Sequence, residues 1–305
     1  EKPLLSNEEQ VVRFLRLANF QLNDSVDFLV GPEDLLADGE YRDKLPQSSG
    51  FKMMKAVANE YPNLNIVVGA SLLQHYTTRP LSPTAREYSN TEAWYDVYNS
   101  AIMINQHDSV PVYHKSKLVA GVEMMPFANV LKPVLGNIVD QMGGSTGSLG
   151  YQNKRGVFTS SNGKFKVGPI ICWESDFGQY VTDYLKNGAN LLFIITNDDW
   201  WGDSPGFIRH LHYARLRAIE NRRSIARSAN TGVSCFINQR GDLIDPQPYK
   251  KPTAIKGVIK ANTDMTYYSK AGDVLGRVAL FISGFLVLFT FVKGYLKKVN
   301  SLAQR

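Results

Sequence analysis

Cysteine is nearly missing from this sequence: Cys172 and Cys235 are the only two in 305 residues. Two thiols cannot build a disulfide framework, and no CxxC or Cys/His spacing offers a zinc site. A dense basic stripe is lacking as well. The net charge is +6, but the positive pairs Lys115/Lys117, Arg222/Arg223, Lys250/Lys251 and Lys297/Lys298 are scattered along the chain. Nucleic-acid binders concentrate such charge, so nucleic acid is not expected as a partner, whereas an anionic membrane surface fits the charge equally well. Internal repeats and low-complexity tracts are missing too. The chain opens on Glu1 without a charged-then-apolar leader, which leaves the compartment open.

What remains is a core-forming composition, 44% hydrophobic and 20% charged. At this length one large α/β domain accounts for it. Apolar residues at helical spacing predict helices over 8–20, 51–60, 180–187 and 207–224. Short apolar runs predict strands over 26–30, 65–71, 99–104, 167–172, 190–196, 233–237 and 255–259. Strands alternating with helices argue for a layered α/β domain over residues 1–270. Between Leu118 and Tyr151 the pattern breaks down, with Met124, Met125, Phe127, Val130, Leu131, Val134 and Leu135 ahead of Gly143-Gly144-Ser145. So long an irregular stretch is expected to have a function of its own, such as an apolar arm that dips into lipid, or else to pack on the domain.

The last forty residues differ in kind. From Val278 to Val292 no charge appears, while Arg277 precedes the run and Lys293, Lys297 and Lys298 follow it. Extended to Leu275–Leu296, with Arg277 and Lys293 snorkelling, the segment reaches the roughly 20 residues that span a bilayer. A terminal helix apolar on every face would need covering on all sides if it were core, so a transmembrane helix at 275–296 is expected. The lysines after it favour a cytoplasmic tail at 297–305 and a catalytic domain on the opposite face.

Three reactive side chains sit where strands give way to loops: Glu33 in DFLVGPED, Lys115 in PVYHKSKLV and Cys172 at the end of GPIIC. Ligands of open α/β folds gather beyond the carboxyl ends of strands, so the three could converge on one pocket. Together they form a chemical set. A thiolate is the nucleophile, an ammonium lowers the thiol pKa and stabilises an oxyanion, and a carboxylate moves the proton. Taken singly, a cysteine ending an apolar strand reads as core, and the glutamate and lysine read as solvated surface.

The order Glu33, Lys115, Cys172, with the strings GPED, YHKSKLV and ICWES, resembles the nitrilase superfamily of carbon–nitrogen hydrolases. Within it, YNSAIMI at 98–104, the Lys115-to-Glu123 spacing in YHKSKLVAGVE, TNDDWWGDSPG at 196–206 and HYARLRAIENRRSIARSANTGVS at 212–234 look like the apolipoprotein N-acyltransferases. The resemblance covers nearly the whole chain. It implies a four-layer αββα sandwich followed by one C-terminal transmembrane helix, and a multi-helix membrane bundle upstream of Glu1. It implies Glu33 as general base, Lys115 as oxyanion stabiliser and Cys172 as the acylated nucleophile. Glu123 and Glu174 match supporting acidic positions, and Trp200 lies in a loop bordering the acyl pocket in relatives; their plainer readings are core for Trp200 and an arginine partner from the 209–227 segment for Glu174. No metal or cofactor is implied. The implied partners are a phospholipid acyl donor and a diacylglyceryl-apolipoprotein acceptor, at the bacterial inner membrane with the catalytic domain facing the periplasm. Gly31 and Asp34 depart from the family's usual tryptophan before the proline and threonine after the glutamate. Ala120-Gly121-Val122 likewise replaces the usual Pro-Phe-Gly ahead of Glu123. An amidase using the same triad with water as final acceptor is the alternative, and a catalytically dead membrane adaptor is a third reading that the intact triad opposes.

Overall fold

A computed structural model describes residues 5–88, 91–124, 148–202 and 204–303. The chain opens with helix α1 (Asn7–Asn19), started by a capping box in which Ser6 and Glu9 satisfy each other's backbone N–H. Two short strands follow, β1 (Phe28–Val30) and β2 (Leu36–Tyr41), then helix α2 (Ser49–Glu60), capped by Ser48. Strands β3 (Asn65–Tyr76), β4 (Arg86–Glu87), β5 (Trp94–Ile104) and β6 (Val112–His114) complete a first six-stranded sheet. In it β1 and β2 run parallel to β3, and β3 runs antiparallel to β5 from Ile66↔Ile104 to Tyr76↔Trp94.

The second sheet has six strands in the order β12-β11-β10-β9-β8-β7. They are β7 (Phe158–Thr159), β8 (Lys166–Ile171), β9 (Leu191–Thr196), β10 (Ile225–Ala229), β11 (Cys235–Ile237) and β12 (Leu243–Ile244). Helix α3 (Gly178–Lys186) connects β8 to β9, and helix α4 (Gly206–Asn221) connects β9 to β10. These three strands are parallel. Crossover helices must cover such a sheet, which is why β9, LLFIIT, is buried at every position.

Period-2 alternation sorts the side chains into layers. Ile66, Val68, Ala70 and Leu72 of β3 pack with Val11, Met54 and Ala58 of the N-terminal helices. Val67, Ala101 and Met103 face the other way and join the core of the second sheet. Phe28 links the two sheets edge-to-face, 5.0 Å from the Phe193 ring centroid and 5.8 Å from that of Phe165. The order is helices, sheet, sheet, helices: the expected αββα sandwich.

Two elements differ from the sequence-based expectation. Residues 255–259 form no strand: Val258 is fully exposed, and just beyond them the Lys260 carbonyl accepts from the Ser224 hydroxyl rather than from a neighbouring strand. The helix predicted over 207–224 stops at Asn221, where Arg222 takes a left-handed conformation, and the polar-looking run IARSA then becomes β10. The apolar segment proposed as a lipid arm lies, beyond Met124, outside the described residues up to Ser148.

A short helix α5 (Tyr267–Ala271) leads into α6 (Val274–Ala303), 30 residues long. Within α6, Val274–Lys297 is long and apolar enough to cross a membrane, and none of it is buried against the domain. Twenty-four residues in helix extend about 36 Å, enough for a hydrocarbon core of about 30 Å. Phe281, Phe285 and Phe291 are each more than 60% exposed, so the segment does not serve as a core helix of this domain.

Candidate active site

The site is assembled at the ends of β1, β6, β8 and β9. After β1 the chain passes through Gly31-Pro32 to Glu33, pinned along β3 by Gly31 N–H to the Val67 carbonyl and Gly69 N–H to the Pro32 carbonyl. Gly69 allows this approach, because a Cβ there would sit 1.5 Å from the Glu33 carbonyl oxygen. The Glu33 side chain is buried, and its Oε1 accepts from Asn99 Nδ2 at 2.7 Å and from Lys115 Nζ at 3.0 Å. Its Oε2 accepts the backbone N–H of Asn197 at 2.9 Å.

Lys115 follows β6 and is 1% exposed. Its Nζ donates to Glu123 Oε1 at 2.8 Å as well as to Glu33. Asn99 also bridges both glutamates, reaching Glu123 Oε1 at 2.8 Å, and Val119 N–H fixes Glu123 Oε2 at 2.8 Å. Burial works against the ammonium, but Glu33, Cys172 and Glu123 outweigh it and push the Lys115 pKa well above the ordinary lysine value. Two carboxylates thus hold one charged lysine in a largely buried setting, where its charge acts at greater strength than in water.

Cys172 directly follows β8 and begins a 3₁₀ turn over Cys172–Asp176 with φ +48°. A non-glycine residue in this left-handed region is strained, a condition that clusters at functional sites. The thiol feels the charges of both Glu33 and Lys115, and so lies within electrostatic reach of each. Lys115 lowers the thiol pKa as expected from the sequence. Burial and the Glu33 charge outweigh it, however, and the net shift is strongly upward. The upward shift favours the protonated thiol over the thiolate.

Glu174 has no arginine partner among the described residues. Its carboxylate is wholly buried and instead collects protein donors. Oε1 accepts from Tyr113 Oη, Tyr180 Oη and Ser116 N–H, each at 2.7 Å, and Oε2 accepts from Ile171 N–H at 2.9 Å. Ser116 adjoins Lys115 and Ile171 adjoins Cys172, so Glu174 ties the lysine loop to the cysteine strand. Trp200 sits on a 3₁₀ turn (Asp199–Trp201) just past Asn197 and is 68% exposed, which rules out a core role.

Sequence reasoning missed a second buried cluster. Asp198 Oδ1 meets His210 Nδ1 at 2.8 Å and Oδ2 meets Arg227 Nη2 at 2.8 Å. Burial opposes the Asp198 charge, but His210 and Arg227 hold the carboxyl well below the usual range. His210 Nε2 lies 3.1 Å from the Cys172 carbonyl oxygen, which also accepts from Ser175 Oγ at 2.8 Å. The strained turn is thereby clamped from beneath. Asn99, Asp198 and Arg227 all fall inside the strings that carried the resemblance, as polar residues on or beside apolar strands; that mismatch was the available signal.

The profile described as carbon-nitrogen hydrolase matches residues 9–271, which takes in every residue of this site. The chain belongs to the carbon–nitrogen hydrolase family. Among solved structures, a CN-hydrolase superfamily protein from Xanthomonas campestris has a TM-score of 0.53 at 13% identity, covering 81% of this chain and 83% of that one. The nitrilase-superfamily member Nit3 of Saccharomyces cerevisiae has a TM-score of 0.51 at 14% identity, covering 80% of each. At such identities they show the fold alone. Curated relatives narrow the likeness within the carbon–nitrogen hydrolases. The apolipoprotein N-acyltransferase of Chlorobaculum tepidum is 28% identical over 95% of this chain. That of Haemophilus influenzae is 32% identical over 62% of it. The chain spans 54% of the first relative's length and 35% of the second's.

Proposed function

We propose that this chain is the catalytic unit of an apolipoprotein N-acyltransferase, with residues 1–270 as catalytic domain, 275–296 as membrane span and 297–305 as a cytoplasmic tail. The observation that carries the reading is the buried Glu33–Lys115–Glu123 cluster, with ion-pair distances of 3.0 and 2.8 Å, beside a strained cysteine at a strand end. The apolar α6 favours lipid substrates over the small soluble amide of an ordinary amidase.

In the proposed reaction Cys172 Sγ attacks the ester carbonyl of a phospholipid while Glu33 takes the thiol proton. Lys115 stabilises the tetrahedral oxyanion. As the C–O bond breaks, Glu33 passes the proton to the leaving lysophospholipid oxygen, and the acyl group remains as a thioester. The amino group of the lipid-modified N-terminal cysteine of an apolipoprotein then attacks the thioester. The C–S bond breaks, and Glu33 carries the amine proton back to the sulfur. Glu123 orients Lys115, Glu174 keeps the lysine and cysteine segments in register, and Trp200 borders the acyl pocket. No step calls on a metal or cofactor. The lysines after α6 support a tail in the cytoplasm and a catalytic domain in the periplasm of the inner membrane.

Transfer is tested in mixed micelles holding a phospholipid with labelled acyl chain and a diacylglyceryl-cysteinyl peptide. The native protein is expected to leave label on the peptide in a hydroxylamine-resistant amide, and Cys172→Ser to leave none. Release of labelled free fatty acid with none on the peptide would instead favour a hydrolase.

A further inference from the structure

Beside Glu33 lies a second carboxyl group for which the reaction above has no use. Asp34 Oδ2 accepts Asn197 Nδ2 at 2.8 Å, while the backbone N–H of the same asparagine reaches Glu33 Oε2 at 2.9 Å. Asn197 is itself fixed, its Oδ1 accepting from Thr231 Oγ1 at 3.0 Å and from Asp199 N–H at 3.2 Å. One anchored residue therefore grips two neighbouring carboxyl groups. The charged groups that face Asp34 are Glu33 on its own loop, Lys115 after β6 and Glu123. Asp198, next to Asn197, is committed to His210 and Arg227.

We propose that Asp34 is a positioning residue that tunes the basicity of Glu33, through its charge and through their shared partner Asn197. Ionised, Asp34 places a second negative charge beside Glu33, which then holds a proton more tightly and takes one from the thiol more readily. Protonated, it withdraws that help. Burial and the Glu33 charge outweigh the Asn197 hydrogen bond and Lys115, raising Asp34 to about 6, so the change falls in mildly acidic conditions.

The inference rests on Glu33 being the base, but coupling between the two carboxyls can be read without turnover. In the full chain labelled with ¹³C at glutamate carboxyls, the Glu33 signal, assigned with Glu33→Gln, should shift in a step as Asp34 ionises near pH 6. Asp34→Asn should abolish the step while keeping an acceptor oxygen for Asn197, and hence a melting temperature no lower than native. In single-turnover acylation of Cys172, native protein should lose rate about threefold to tenfold as pH falls through about 6, whereas Asp34→Asn should hold the lower rate on both sides of that pH. Glu33 titration identical in native and Asp34→Asn protein would overturn the proposal, as would superimposable rate profiles. Failure of the native protein to acylate Cys172 at any pH would remove the triad instead, leaving the carbon signal to decide the coupling.

Discussion

Replacing Glu174 by alanine should do two separable things. The carboxylate holds four short hydrogen bonds, from Tyr113, Tyr180, Ser116 N–H and Ile171 N–H, at 2.7–2.9 Å in a fully buried setting. The two tyrosine hydroxyls already approach each other and can re-pair, but the backbone N–H groups of Ser116 and Ile171 cannot move without dragging the chain on either side. Stranding two buried N–H groups costs about 1–3 kcal/mol each, and removing the buried carboxylate recovers part of the total, for a net loss of about 3 kcal/mol. A domain of this size loses roughly 2–4 °C per kcal/mol, so melting in detergent should drop by about 10 °C. Catalytically, the Lys115 loop loses its tie to the Cys172 strand. Misplacement by about 1 Å costs about a hundredfold, so Cys172 acylation measured well below the new melting point should fall by about that factor. Tyr113→Phe removes one donor and should cost only about 1 kcal/mol with little loss of rate. An unchanged melting temperature in Glu174→Ala would refute the hydrogen-bond reasoning. A large drop in melting temperature with a rate within about threefold of native would leave Glu174 a purely structural group.

Because burial and Glu33 keep Cys172 protonated, its alkylation by iodoacetamide in the resting protein should still be rising above pH 9; a plateau reached below pH 7 would mean a resting thiolate. Asp198, depressed by His210 and Arg227, should contribute stability that is fully present above the ordinary aspartate value of about 3.9 and fades as pH falls toward its lower folded value. Asp198→Asn should accordingly melt several degrees below native at pH 7, with the gap closing on acidification below about pH 4; a constant gap counts against the ion pairs. Gly69→Ala forces a Cβ to within 1.5 Å of the Glu33 carbonyl oxygen, so it should abolish acylation or unfold the domain, whereas Gly121→Ala, with open space around it, should keep the fold apart from its own backbone strain.

Much of this was legible in the residues. Continuous apolar runs such as LLFIIT and the uncharged stretch 278–292 announced a buried strand and an exposed helix, because burial on both faces and contact with lipid each demand unbroken apolarity. Chemical type and position at strand ends marked Glu33, Lys115 and Cys172. Long-range pairing was out of reach. IARSA looked polar because Arg227 spends its charge on Asp198, 29 positions away, and IKGVI looked like a strand though among the described residues no neighbour offers it a ladder. For Glu174 an arginine partner was the plainer alternative to a supporting acidic role, since nothing local shows that three tyrosines and three backbone donors converge on it. The raised Cys172 pKa depends on a balance of burial against charge that spacing does not encode.

Mass spectrometry of the intact protein after exposure to phospholipid bears directly on whether sulfur, ammonium and carboxylate act as one unit. Native protein should gain one fatty acyl mass, located on the Cys172 peptide and removed by neutral hydroxylamine. Cys235→Ala should behave alike, while Cys172→Ala should gain nothing and Glu33→Gln or Lys115→Met at most traces. Acylation that survives Cys172→Ala, or that is lost in Cys235→Ala, would contradict the assignment of the nucleophile.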